Sequence, residues 1–165
     1  MTEAISIVKL SGLTNQILAE CWRAIEREGK ADRVCVISDP KKWGAEDFIR
    51  QVRQGKDVRV VLMGGVIVAM VWIESIRPGR AEVHWHLYQS RLKDMFRIGR
   101  RVVAGLFECL NVDLLYGFTP TNNPAAIRYL ELIGGKQVGT LPGGSYVAVD
   151  DCCVDSAIMA FQRNA

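Results

Sequence analysis

The chain has no uninterrupted apolar run approaching the roughly twenty residues that cross a bilayer, and its N-terminus lacks a charged start followed by an apolar signal core. A soluble, cytoplasmic protein is therefore expected, with no membrane partner. Long basic tails are absent too. Lys and Arg alternate with Asp and Glu along much of the sequence and the net charge is only +3, so nucleic-acid binding is not implied. The five cysteines, Cys21, Cys35, Cys109, Cys152 and Cys153, form an odd set with no CxxC spacing, which argues against a disulfide framework and for reduced thiols. Cys152 and Cys153 are adjacent. They read either as a redox or metal element or as small residues in a strand, where neighbours point to opposite faces. Repeats, low-complexity segments and linkers are lacking as well, and 165 residues with 49% apolar composition are enough to bury one core. A single domain over residues 1–165 is expected.

The periodicities order the elements. Ile5–Leu10 alternates as a strand, and Leu13–Glu28 repeats apolar residues at helical spacing before Gly29. RVCVIS, residues 33–38, reads as a short strand, and Trp43–Gln54 as a second helix. Val58–Met63 and Val66–Ser75 flank a Gly64–Gly65 hairpin turn, and Pro78–Gly79 turns the chain into Ala81–Tyr88, giving an antiparallel meander. Met95–Leu110 is an amphipathic helix and Val112–Thr119 an apolar strand. Asn123–Gly135 is a helix delimited at both ends, with Asn123 as N-cap, Pro124 in the first turn and two glycines as the stop. Lys136–Leu141 and Val154–Phe161 read as a closing strand pair across a turn at Gly143–Ser145. The order is that of an α/β domain with a mixed sheet covered on both faces.

Only two histidines are present, His84 and His86, both on the strand AEVHWHLY. A period of two puts Glu82, His84 and His86 on one face and Val83, Trp85 and Leu87 on the other. Carboxylates and imidazoles so placed are candidate general bases. His-x-His on a strand can also bind zinc, though no third ligand is apparent, and half-buried structural histidines are a further reading. Trp22, Trp43, Trp72 and Trp85 read as core residues or as the lining of an acceptor pocket.

This element order, together with NPAAIRYLELIGG and the ending KQVGTLPGGSYVAVDDCCVDSAIMAFQR, resembles the GNAT superfamily of acyl-coenzyme A-dependent N-acyltransferases. The correspondence falls on Asn123, Ala126, Ile127, Glu131 and Gly134, then on Val154 and Asp155, and spans nearly the whole chain. The resemblance implies a GNAT-like α/β fold: a mixed, mostly antiparallel central sheet, helices on both faces, and a V-shaped opening between the fourth and fifth strands. It implies an acyl-coenzyme A co-substrate, most simply acetyl-coenzyme A, and an amine acceptor attacked directly, with a homodimer as a candidate assembly. Cofactor contacts would come from the backbone of Leu87 and Tyr88, the side chain of Asn123, and a phosphate-binding segment after the fourth strand.

That segment here reads QSRLKDMFRIGRR, where the family usually alternates small residues that let backbone donors approach phosphates. Phosphate contacts would then fall to Arg91, Lys93, Arg97, Arg100 and Arg101 as side-chain donors, with Gly99 as the small residue; a solvated helix face is the other reading of these basic residues. Leu130 occupies the position where many members carry a Tyr that reprotonates the leaving thiolate. Tyr129 is the adjacent candidate acid, with Tyr88, Tyr116 or water as substitutes, while Glu82, His86 and His84 are the candidate bases. The rival expectation is a non-catalytic GNAT-like structural or binding protein, for instance a phage virion component. A third is an acyltransferase toxin or a modifier of a protein N-terminus.

Overall fold

The computed structural model describes residues 4–28, 44–54, 57–88, 93–147 and 152–163. The 33–38 segment, Arg91, Cys35 and Trp43 lie outside these. The strands are β1 (Ile5–Lys9), β2 (Asp57–Met63), β3 (Val66–Arg77), β4 (Arg80–Leu87), β5 (Leu114–Pro120), β6 (Lys136–Val147) and β7 (Cys152–Gln162). The helices are α1 (Asn15–Arg27), α2 (Ala45–Arg53), α3 (Met95–Leu110) and α4 (Pro124–Leu132), with a 3-10 turn at Leu10–Gly12. The strands hydrogen-bond in the order β1-β2-β3-β4-β5-β7-β6. The ladders of β1 with β2, β5 with β7, and β6 with β7 are antiparallel, whereas β4 and β5 run parallel. The chain forms two compact units, the first Met1–Trp72 with Trp85–Leu92 and the second Ile73–His84 with Lys93–Ala165. Strands β3 and β4 contribute to both.

In the first unit, Thr14 caps α1 by accepting a hydrogen bond from the Ile17 N–H at 3.4 Å. The helix therefore starts two residues later than its apolar periodicity suggests. Its residues Leu18, Cys21, Trp22 and Ile25 fall on one face and pack with Phe48 and Val52 of α2 and with Val58, Val60, Met70 and Trp72 of the strands. Trp22 stacks on Phe48 with ring centroids 5.7 Å apart, so Trp22 and Trp72 are core residues. Each fully buried large side chain contributes about 1.5–3 kcal/mol. Arg53, at the end of α2, donates to the carbonyls of Ser11 and Leu13, both at 2.6 Å, and to Asn15 Oδ1 at 2.9 Å. One guanidinium thus ties α2 to the turn that precedes α1. Val68 through Ile73 of β3 are all buried, so this strand is covered on both faces and reads as a continuous apolar run.

In the second unit, Pro78 and Gly79 (φ 76°) make the turn between β3 and β4, the conformation that glycine adopts without strain. The Gly79 carbonyl also accepts from the N–H groups of Asp113 and Leu114, at 2.9 and 3.0 Å, which fixes where β5 begins. Helix α3 buries Ile98, Gly99, Val102, Leu106 and Phe107 and ends at Asn111 in the left-handed conformation (φ 50°), a role Asn tolerates better than most residues. The start of α4 follows the sequence reading: Asn123 Oδ1 accepts from the Ala126 N–H at 3.2 Å and Pro124 stands in the first turn.

The closing strands require a correction. Gly143–Ser145 is not the turn between them, because β6 continues through this segment to Val147. The pairing slips from Leu141 opposite Ser156 to Ser145 opposite Val154, so the glycines absorb a bulge. Gly143 adopts φ 61°, its N–H is held by Asp155 Oδ1 at 3.0 Å, and the hydroxyls of Ser145 and Ser156 bond across the strands. The Asp155 carboxylate thus takes one backbone donor that a regular ladder would pair, and the serine hydroxyls tie the two strands beside it.

Candidate functional site

The ladder between β4 and β5 in the second unit pairs Arg80 with Leu114, Ala81 with Leu115 and Glu82 with Tyr116. At Gly117, the next residue of β5, an added Cβ would overlap the Val83 carbonyl oxygen, so only glycine allows this backbone approach. The paired residues Glu82 and Tyr116 project to the same side, as does His84 two residues on. The three side chains meet. His84 Nε2 lies 3.2 Å from Glu82 Oε1, and the Tyr116 hydroxyl donates to Glu82 Oε2 at 3.4 Å. The carboxylate and the imidazole are about one-quarter exposed, 23% and 24%, partly dehydrated yet reached by solvent. The Tyr116 ring meets Phe118 edge-on at 6.2 Å, which restrains its rotation.

His86 belongs to the first unit. Its Nε2 lies 3.3 Å from Glu28 Oε2 just beyond the end of α1, and its ring packs edge-to-face on Tyr88 at 5.1 Å. Tyr88 is buried, with its N–H bonded to the Val68 carbonyl at 3.1 Å and its hydroxyl donating to the Cys21 carbonyl at 3.3 Å. Burial, reinforced by Cys21 and Glu28, pushes the Tyr88 phenol well above its ordinary range. Leu87 is half-buried at the end of β4. The three β4 candidates are thus divided: Glu82 and His84 converge, and His86 pairs with Glu28.

At the start of α3, Asp94 occupies the N-cap position without bonding a backbone N–H there. Its carboxylate instead takes Arg97 at 3.3 Å. Arg100 donates to the Leu132 carbonyl at 3.3 Å, and Lys93 and Arg101 are exposed. Gly99 is buried, facing the Tyr129 hydroxyl and the Ile133 side chain of the α4 segment. Tyr129 donates to the Met95 carbonyl at 3.0 Å, and burial raises its phenol pKa strongly. The proton of this tyrosine is therefore engaged and hard to release. Asn123 uses its side-chain oxygen as the helix cap, which leaves its amide hydrogens as donors. The sequence named each residue of the Glu82–His84 pair but not the convergence of Tyr116 with them. That contact depends on the parallel register of β4 and β5, for which no local pattern exists.

Among the described residues no helix is long and apolar enough to cross a membrane. No protein-family profile matches the chain, and no curated protein sequence is similar to it. Solved structures do match. A spermidine N-acetyltransferase chimera of Vibrio cholerae SpeG and hSSAT superposes with a TM-score of 0.75 at 14% identity, over 96% of this chain and 94% of that one. The YncA structure from Salmonella typhimurium, solved with its cofactor acetyl-CoA, gives 0.66 at 15% identity over 98% and 95%. A GNAT-family acetyltransferase from Streptococcus pneumoniae gives 0.65 at 13% identity over 98% and 100%. With its mostly antiparallel seven-stranded sheet and the parallel β4–β5 pair, the chain has the GNAT acetyltransferase fold.

Proposed function

We propose that this protein is an acetyl-coenzyme A-dependent N-acetyltransferase that passes its acyl group directly to an amine. The observation that carries the reading is the Glu82 carboxylate held between His84 and Tyr116 at the last pair of the parallel ladder. An acceptor amine reaches the site protonated and must lose a proton before its lone pair can attack a thioester. A carboxylate–imidazole pair partly shielded from water can take that proton. The fold is shared with acetyltransferases, one of them solved with acetyl-CoA, and the residues present suit such a co-substrate.

Leu87 and Tyr88 would offer backbone groups to the pantetheine amides; the Tyr88 N–H is already bonded to Val68, so its carbonyl is the partner. Arg91, Arg97 and Arg100 would meet the phosphates as side-chain donors, which replaces the close backbone approach that a glycine-rich loop provides. The Asn123 amide hydrogens would reach the thioester end. Acetyl-CoA supplies the activated acyl group; the chain's own contribution is to hold it, orient the amine and move protons.

Isothermal calorimetry with acetyl-CoA tests the reading directly. Saturable binding at micromolar to sub-millimolar ligand is expected, and no heat at about millimolar ligand would overturn it. Incubating the protein with acetyl-CoA and a panel of polyamines, amino acids and peptides, read by mass gain of the acceptor, would then identify the amine class. Glu82→Gln in that assay should lower kcat by about 10²-fold or more while acetyl-CoA affinity is kept.

A further inference from the structure

Helix α3, the segment after α4 and the end of β7 border a groove of about 640 Å³ within the second unit, a volume ordinary for a small-molecule site. Its floor is apolar, made by Val103, Phe107, Ile133 and Phe161. The wall at Gly134 is bare backbone, since a Cβ there would meet nothing within 4 Å, and the small Ala104 keeps the α3 rim low. The groove is separate from the Glu82–His84 pair. Phe161 stands opposite Leu115 and Ala160 opposite Tyr116 in the β5–β7 ladder, and neighbouring residues of a strand point to opposite faces. Tyr116 therefore meets Glu82 on one face of the sheet, and Phe161 lines the groove on the other.

Arg163 gives the groove its chemistry. Its guanidinium donates to the Phe107 carbonyl in the last turn of α3 and lies 5.8 Å from the centroid of the Phe107 ring. Carbonyl and ring hold the fork in place, so little side-chain freedom remains to be lost on binding. Most of its five N–H donors stay available, and among the described residues no carboxylate pairs with it. Arg100, engaged with the Leu132 carbonyl, closes the end nearer the start of α3. Glu108 also lines the groove, so its charges are two positive against one negative.

We infer that this groove binds a small organic monocarboxylate with an apolar body, the carboxylate on Arg163 and the body on Phe107, Ile133 and Phe161. A carboxylate matches the planar fork, and an apolar body takes the floor out of water. Glu108 disfavours ligands of higher negative charge, such as a phosphate dianion. Acyl transfer at Glu82 uses none of Arg163, Phe107 and Phe161, so the groove fills whether or not that reaction occurs.

The full-length chain, labelled with ¹⁵N, is titrated with phenylacetate and followed by NMR. Saturable shifts of the Phe107, Gly134 and Arg163 amides are expected, half-complete at about millimolar ligand. Phenylacetamide keeps the ring and loses the charge, whereas acetate keeps the charge and loses the ring. Each should bind at least about tenfold more weakly. Ala104→Trp fills the groove from an exposed helix position and should remove the shifts. Arg163→Met should weaken phenylacetate about tenfold and leave phenylacetamide unchanged, while Glu108→Gln should strengthen phenylacetate about two- to fivefold. Equal binding of phenylacetate and phenylacetamide, shifts that persist in Ala104→Trp, or no saturation by about 20 mM phenylacetate would each overturn the site. Should a variant fail to fold, the ranking of the three ligands on the wild type decides alone.

Discussion

The hydroxyl of Tyr129 occupies the space that a side chain on Gly99 would need. Helix α3 and the α4 segment are matched there by a missing methyl group on one and a phenol on the other, with Ile133 closing the same contact. In an open helix, Gly→Ala adds about 0.5–1 kcal/mol of stability. Here the overlap should reverse the sign, and Gly99→Ala is expected to destabilise by about 1–3 kcal/mol in urea unfolding. Adding Tyr129→Phe to that background removes the clashing oxygen and should recover part of the loss. Full wild-type stability in the single variant would show that the two helices repack freely.

A second glycine is less forgiving. The atom that a Cβ at Gly117 would strike is the backbone oxygen of Val83, which no rotamer change can move. Gly117→Ala should therefore spread the β4–β5 pair beside Glu82 and Tyr116 and cost about 3 kcal/mol. Hydrogen exchange of the Val83–Phe118 backbone region would report it as faster opening than in wild type. Protection equal to wild type would contradict a close approach that depends on glycine.

Arg53 holds three acceptors that no other described side chain reaches: the carbonyls of Ser11 and Leu13 and the side chain of Asn15. Both Arg53→Ala and Arg53→Lys should lose about 1–2 kcal/mol, since a single ammonium cannot span the fork. A lysine variant as stable as wild type would mean that charge alone suffices.

Cys21 is buried, and burial first, with Glu20 adding to it, pushes its thiol from 9.0 up to about 11. Timed alkylation at pH 8 followed by mass spectrometry should modify the exposed Cys109, Cys152 and Cys153 well before Cys21. The unfolded thiol ionises near 9.0 while the folded one stays neutral to about 11, so this group's contribution is intact below pH 9 and is lost as pH rises towards 11. Cys21→Ala should flatten that alkaline decline even though it loses packing, and an unchanged slope would assign the decline elsewhere.

Local chemistry made much of this architecture readable. The Gly64–Gly65 hairpin, the Asn123 cap and the apolar face of α1 each depend on residues within a few positions of one another, and each is found in the structure, α1 beginning two residues later than its periodicity. The period of two also placed Glu82 and His84 side by side. What stayed hidden is non-local. Tyr116 reaches Glu82 across a parallel pair separated by an intervening helix, and Gly99 meets Tyr129 only because two helices dock. The Gly143–Gly144 pair misled for a related reason: a bulge and a turn can use the same left-handed glycine, and here the Gly143 N–H is held by the carboxylate of Asp155 on the opposite strand, a contact far away in sequence.

That bulge has a bearing on how the molecule behaves among copies of itself. β6 is the last strand in the hydrogen-bonding order and carries the exposed apolar residues Val138, Leu141 and Tyr146. A straight edge of that length and composition would be a template for sheet extension. Its ladder slips once between Gln137 and Gly139 and again between Leu141 and Ser145, with Pro142 contributing no donor within the second slip. The outward row of amides is thereby cut into short lengths that are out of phase with one another, and a neighbouring chain finds no continuous rail on which to zip.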